Sequence, residues 1–374
     1  MARLLGPEDY GILAVLFSFM YIFSVPSEAI QNIITAYTSR YNLNKEYGKI
    51  KYILYKSLSK SLYASFILFV LFIPLSFFFS LFLEIDFSLF LIIGILIFFF
   101  LSSPVLRGAL QGQKEFFNLG WSVLIEGIIK LVLGLLLVLM GWKVYGSIFA
   151  VILSVAVSFF ITFFLIKDIL KKNIEEVNFK GIYTYSMPYF VCSLSIVLFY
   201  SIDVIFAKRF FESDVAGMYS VASILGKIVF FGTIGISKAM FPLTSENPEK
   251  KRSGLSLFWK SSIILLLISI PLLVLYLLFP SFIISFLFGK EYVGVSNILF
   301  IVGLSLTLLS FTNLRILYGL SKDRIKNLSF TFFFFVFIEI LLFSLFHNNL
   351  TEFSLSFLVA NALFFIYSLV LIRK

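Results

Sequence analysis

The chain has 374 residues, of which 60% are hydrophobic, 19% aromatic and 13% charged, with a formal net charge of +10. About a quarter of the residues of a globular protein are charged, so this composition excludes a water-soluble domain with a polar exterior and suits a chain solvated by lipid. Single copies of Cys192 and His347 exclude an intramolecular disulfide, a cysteine-rich metal site and a histidine-cluster metal centre, and no cofactor is expected.

Eleven apolar stretches reach about 20 residues, the length a bilayer demands. They predict helices near 10–36, 58–83, 87–111, 117–140, 144–166, 184–207, 214–242, 259–288, 294–319, 328–346 and 353–371. The fold class is therefore all-α and polytopic. Pro26, Pro74, Pro104, Pro188 and Pro271 fall inside or near these spans. Neighbouring groups in a membrane re-satisfy the backbone that a proline frees. Plain kinks and kinks that bend a helix round a cavity read alike at this level. The Phe-rich "TFFFFVF" (331–337) suits a lipid-facing or a core surface equally.

The basic residues cluster between spans, so the positive charge reads as topology and not as a nucleic-acid surface. One set of loops, including "SRYNLNKEYGKIKYILYKSLSK", "KDILKKNIEEVNFK", "SENPEKKRSG" and "SKDRIKN", carries most of the Lys and Arg. The positive-inside rule makes that set, and the C-terminus, cytoplasmic in a cell membrane. The alternate set is short. It includes "LEIDFS", whose Glu84 and Asp86 are the best acidic pair for an interfacial enzyme, and they lack an evident partner. The sequon Asn349–Thr351 is assigned no role.

"GPEDYGILAV" (6–15) resembles "ESDVAGMYSVA" (212–222), allowing one gap. The second copy follows a helix; the first does not. The expected plan is therefore two pseudo-repeated lobes, 1–172 and 183–374, with five and six spans and the first helix of a twelve-helix plan missing.

Eight ionisable residues lie within the spans: Glu28, Glu126, Lys130, Asp203, Lys227, Lys238, Arg315 and Glu339. Each costs about 2.5–3.5 kcal/mol at the bilayer centre on insertion scales and by default faces a bundle interior or a wet cavity. Lys227 sits mid-span and is open between a cavity wall and an ion pair. Lys238 lies near the cytoplasmic end and snorkels. Glu126 and Lys130 stand at i,i+4 in the favourable order for mutual neutralisation. Asp203 lies near Lys208 and Arg209, as an ion-pair partner or an outer gate. Arg315 suits a bidentate phosphate contact or snorkelling. Glu28, Glu126 and Glu339 are open between coupling sites for protons or cations and counter-ions for the bases. Four acids against four bases leave the charge of the cargo undecided.

Four segments, "RLLGPEDYGILAVLFSF", "SSPVLRGALQGQKEF", "YSMPYFVCSLSIVLFYSIDVIFAKRFFESDVAGMYSVASILGKI" and "FGKEYVGVSNILFIVGLSL", resemble in order the polysaccharide transporter family, the O-antigen-type flippases of the multidrug/oligosaccharidyl-lipid/polysaccharide (MOP) superfamily. The resemblance implies two six-helix lobes round a central cavity. It also implies alternating access that carries a lipid-linked oligosaccharide across the membrane, its polyprenyl tail in lipid. By that resemblance Lys227 and Arg315 would meet the phosphates and Asp203 would stand at the family's acidic position in its seventh helix. From the residues themselves, a cavity with Lys227, Lys130 and Arg315 would suit an anionic head group, and Na⁺ or H⁺ is the expected coupling ion. The departure is the helix expected before "RLLGP", which leaves an inactive fragment as one alternative. A multidrug or cation exporter of the same superfamily is the other.

Overall fold

The computed structural model describes residues 1–177, 183–245, 251–322 and 329–373, and among them every regular element is helical. The loops expected around 245–254 and 321–327 lie largely outside the described residues. In chain order the helices are α1 (Ala2–Leu43), α2 (Tyr47–Leu83), α3 (Phe87–Gly94), α4 (Leu96–Gly112), α5 (Phe116–Leu137), α6 (Lys143–Leu165), α7 (Lys167–Leu170), α8 (Tyr183–Phe199), α9 (Ile202–Phe210), α10 (Ser213–Ser245), α11 (Lys251–Leu278), α12 (Pro280–Leu287), α13 (Leu299–Ser321), α14 (Thr331–Leu345) and α15 (Leu350–Arg373).

Nine helical stretches among the described residues are long and apolar enough to cross a bilayer. One of them, Phe116–Leu165, runs to 50 residues. It is broken at Gly141 (φ 88°) and Lys143 (φ 46°), and α5 and α6 pack on each other as separate helices. With the shorter apolar α14, the eleven expected spans are all present.

Two compact units form. The first comprises chiefly Phe19–Ser186; the second takes Met187 onward together with Gly6–Ser18. Chain order alone assigns Gly6–Ser18 to the N-terminal lobe, yet it packs in the second unit. The reason is glycine. A Cβ on Gly11 would stand 2.9 Å from Gly217 Cα, and one on Gly217 would stand 1.8 Å from the Pro7 carbonyl oxygen. The two repeat motifs thus meet backbone to backbone, which only small residues permit. Tyr10 adds edge-on ring contacts to Phe288 and Tyr292, and the Tyr292 hydroxyl donates to the Ala2 carbonyl at 2.9 Å.

Within the first unit α1 and α4 are joined by Ser27 to the Phe100 carbonyl (2.6 Å) and Gln31 to Gln111 (2.8 Å), with Gly108 and Gly112 against Ile34 and Thr38. Within the second, α10 and α13 are joined by Thr233–Ser310 (3.0 Å) and Thr244–Ser321 (2.8 Å). Thr233 and Thr244 are three turns apart and so share one helix face. Hydroxyl pairs and small residues are the seam of helix pairs in lipid, where apolar burial gives no drive. "LRGALQGQK" (106–114) on α4 matches "LRILYGLSK" (314–322) on α13, extending the repeat.

The Phe-rich α14 serves both surfaces. Phe332 is buried against Phe364, while Phe330, Phe334 and Phe337 are exposed. Asn349 begins α15: its Oδ1 accepts the Glu352 amide at 2.9 Å, an N-cap.

Candidate functional site

The span holding α8 and α9 is interrupted at Tyr200–Ser201, and Asp203 falls in the first turn of α9. A helix N-terminus carries partial positive charge and favours a carboxylate there. On α10, Tyr219, Ser223 and Lys227 recur at four-residue spacing, so they share one face. That face meets Asp203. Ser223 donates to Asp203 Oδ2 at 2.5 Å, Tyr219 reaches the same oxygen at 3.4 Å, and Lys227 Nζ stands 3.6 Å from Oδ1. Asp203 is fully buried and Lys227 is 4% exposed.

Glu339 of α14 is also fully buried, near enough for its carboxylate to interact electrostatically with Asp203. Neither Glu339 oxygen has a hydrogen-bond partner among the described residues. The cluster therefore holds two carboxylates and one ammonium. With both acids ionised it carries one negative charge too many in a dry interior, where an unpaired charge is costly. Aromatic rings close it: Phe343 stacks on Phe353 at 4.3 Å and Tyr219 meets Phe353 edge-on at 5.2 Å.

The first unit has its own charge cluster. Arg107 of α4 pairs with Glu126 of α5 and donates to Ser158 Oγ of α6 at 2.9 Å. Glu126 is thus paired across helices to Arg107, not along its helix to Lys130, which is exposed. The i,i+4 pairing does not form because Arg107 lies inside α4 with its side chain about four-fifths buried, within reach of Glu126. Arg315 holds the matching position on α13, between the rings of Phe258 (5.5 Å) and Phe365 (5.9 Å). Asp203 pairs with Lys227 in place of the nearby bases expected for it; Lys208 instead bonds Ser213 at 2.5 Å. Glu28 is half-buried on α1, and Lys238 is exposed on α10. Five of the expected site residues fall in three places. Asp203, Lys227 and Glu339 come together, Glu126 joins Arg107, and Arg315 sits among rings.

Sequence reasoning passed over Tyr219, Ser223 and Arg107. The first two carried a signal, a four-residue polar stripe leading to Lys227. Among the described residues no group of three or more His, Cys, Asp or Glu is placed to hold a metal ion.

A family model described as polysaccharide biosynthesis protein matches residues 1–247. This chain belongs to that family. Solved structures of the MOP superfamily share its fold. An inward-facing multidrug resistance MATE family transporter superposes with a TM-score of 0.81 at 13% identity, covering 99% of this chain and 92% of that one. An outward-facing MATE family transporter gives 0.69 at 15% identity, over 98% and 87%. A MOP transporter from Pyrococcus furiosus, noted for the reversed polarity of its binding pocket, gives 0.68 at 16% identity, also over 98% and 87%. No curated protein matches. The polysaccharide biosynthesis family member described here is a multi-pass membrane protein with a MOP-type transporter fold.

Proposed function

We propose that the chain is a flippase. It moves an oligosaccharide, linked through pyrophosphate to a polyprenyl carrier, across the cell membrane by alternating access. No covalent bond of the cargo changes. The family carries the cargo class, and the basic loops support a cytoplasmic C-terminus.

The observation that carries the mechanism is the charge imbalance around Asp203, Lys227 and Glu339 on an interrupted helix. Interrupted helices at mid-membrane are where transporters place coupling ions. A proton or a monovalent cation neutralises the excess carboxylate charge. Seated on Asp203 as well as Glu339, that ion competes with Lys227 for the Asp203 carboxylate, and the ammonium is released to a phosphate of the cargo. Both solved states of related folds, inward-facing and outward-facing, support a cycle of this kind. Arg315, with its guanidinium within 6 Å of two ring centroids, offers a second phosphate contact.

The test is leaflet translocation of a pyrophosphate-linked oligosaccharide in proteoliposomes, with an imposed pH or Na⁺ gradient. Wild type responds to the gradient, Glu339→Gln loses that response, and Lys227→Ala loses at least about tenfold in rate while still inserting. Gradient-driven efflux of a cationic dye without glycolipid movement would assign the chain to drug export.

A further inference from the structure

A cavity of about 260 Å³ lies in the first unit among α1, α2 and α4. Ile30, Ile34 and Leu101 form its apolar wall, and Ser57, Lys60 and Ser61 of α2 form its polar end. Ser57 is 5% exposed, and its Oγ has no hydrogen-bond partner among the described residues. An open buried hydroxyl at the edge of a cavity is able to bond a ligand oxygen there.

The second unit shows what this place looks like when filled. Counted back from Pro74 and Pro271, Ser61 of α2 corresponds to Phe258 of α11. The next turn repeats the match: Ser65 bonds the Ser61 carbonyl and Ser262 bonds the Phe258 carbonyl, at 2.7 and 2.9 Å. Phe258 packs its ring against Met240, Leu314 and Tyr318. In the first unit a serine replaces that ring, and the space stays open.

The residue pattern of α2 suits the level of lipid headgroups. Lys49, Lys51, Lys56 and Lys60 precede the uninterrupted apolar run of α2, and the exposed Tyr55 and Tyr63 flank the transition. Tyrosine and lysine collect at this level of a bilayer. The volume falls just under the range of small-molecule pockets, about 300–1,000 Å³. It admits a phosphate and the first part of one chain, not an oligosaccharide.

We propose that this cavity binds a phosphate-bearing membrane lipid. Lys60 and the Ser57 and Ser61 hydroxyls hold the phosphate, and one chain lies along Ile30, Ile34 and Leu101. The site shares no residue with the charge cluster and does not depend on the flippase reading.

Native mass spectrometry of the delipidated full chain tests it. The probes are phosphatidylglycerol, diacylglycerol with the same chains, and inorganic phosphate as competitor. Wild type retains phosphatidylglycerol about tenfold more tightly than Lys60→Gln, the loss expected for a charge-assisted contact. Ser61→Phe, which installs the ring found in the other unit, removes binding and leaves the unfolding temperature unchanged or higher. If that variant does not fold, Lys60→Gln and Ser57→Ala decide the matter. Equal retention by wild type and Lys60→Gln would overturn the proposal. So would diacylglycerol binding as well as phosphatidylglycerol, or displacement of the lipid by millimolar inorganic phosphate, which would leave a plain anion site.

Discussion

Lys227 Nζ lies 3.6 Å from Asp203 Oδ1, with both side chains withdrawn from solvent. Two buried opposite charges stabilise mainly by satisfying each other, and removing one strands the other. Asp203→Asn and Lys227→Met should each lower stability by about 3–5 kcal/mol. The double variant should lose clearly less than the sum, because neither member of the pair is left without the other. Unfolding in detergent, read as a double-mutant cycle, checks this; additive losses would mean that the pair is not coupled.

Glu339 adds a second carboxylate with no hydrogen-bond donor among the described residues. If Na⁺ is the ion that balances it, replacing KCl by NaCl at constant ionic strength should raise the unfolding temperature of wild type. A ligand that binds only the folded state stabilises by mass action. Glu339→Gln should show no such rise. An equal rise in both would place the Na⁺ effect elsewhere.

Gly217 faces the Pro7 carbonyl so closely that a methyl group has no room. Gly217→Ala should therefore cost at least about 1–3 kcal/mol, the range for overpacking, and lower the yield of folded protein. Gly120→Ala is the control, since nothing lies within 4 Å of a Cβ there. Equal yields of the two variants, measured by fluorescence-detected size exclusion, would contradict the close approach.

Arg107 ties α4 to α5 and α6 through Glu126 and Ser158. Arg107→Ala should cost about 2–4 kcal/mol, because it strands a largely buried carboxylate. Adding Glu126→Gln should recover part of that loss. Lys130→Ala should be neutral within about 0.5 kcal/mol, as for an exposed side chain away from any such network. A larger loss for Lys130→Ala than for Arg107→Ala would reverse this assignment of partners.

Asn349 caps α15. Asn349→Ala should destabilise by about 1 kcal/mol and Asn349→Asp should not, as judged by thermal unfolding. The same position reports topology. Cysteines at Asn349 and Lys251 should label from opposite sides of the membrane if the basic loops are cytoplasmic; labelling from one side would break that orientation.

The helices themselves were legible because apolar length is a local property. Each expected span has a helix, and even the break near Gly141 falls where "MGWKVYG" interrupts the apolar run. The repeat was legible too, from the likeness of residues 6–15 to 212–222, but not that its glycines Gly11 and Gly217 meet backbone to backbone. The sequence also marked which charges had to be withdrawn from lipid, because an ionisable group in an apolar run is costly wherever it points.

Partner choice was not legible. Glu126 has a lysine one turn along its own helix and takes an arginine from another. Asp203 has two bases close by in sequence and takes one from the middle of α10. Local spacing lists the neighbours a side chain can reach along its own helix. Which helix faces which, and at what depth, is decided by packing of glycine and hydroxyl seams over the whole chain. The same packing placed Gly6–Ser18 in the second unit and left the space beside Ser61 open where Phe258 fills its counterpart. Composition determined that this protein lives in a bilayer as a set of helices; only the tertiary structure decided which of its charges meet, because pairing depends on distances between helices that no single helix encodes.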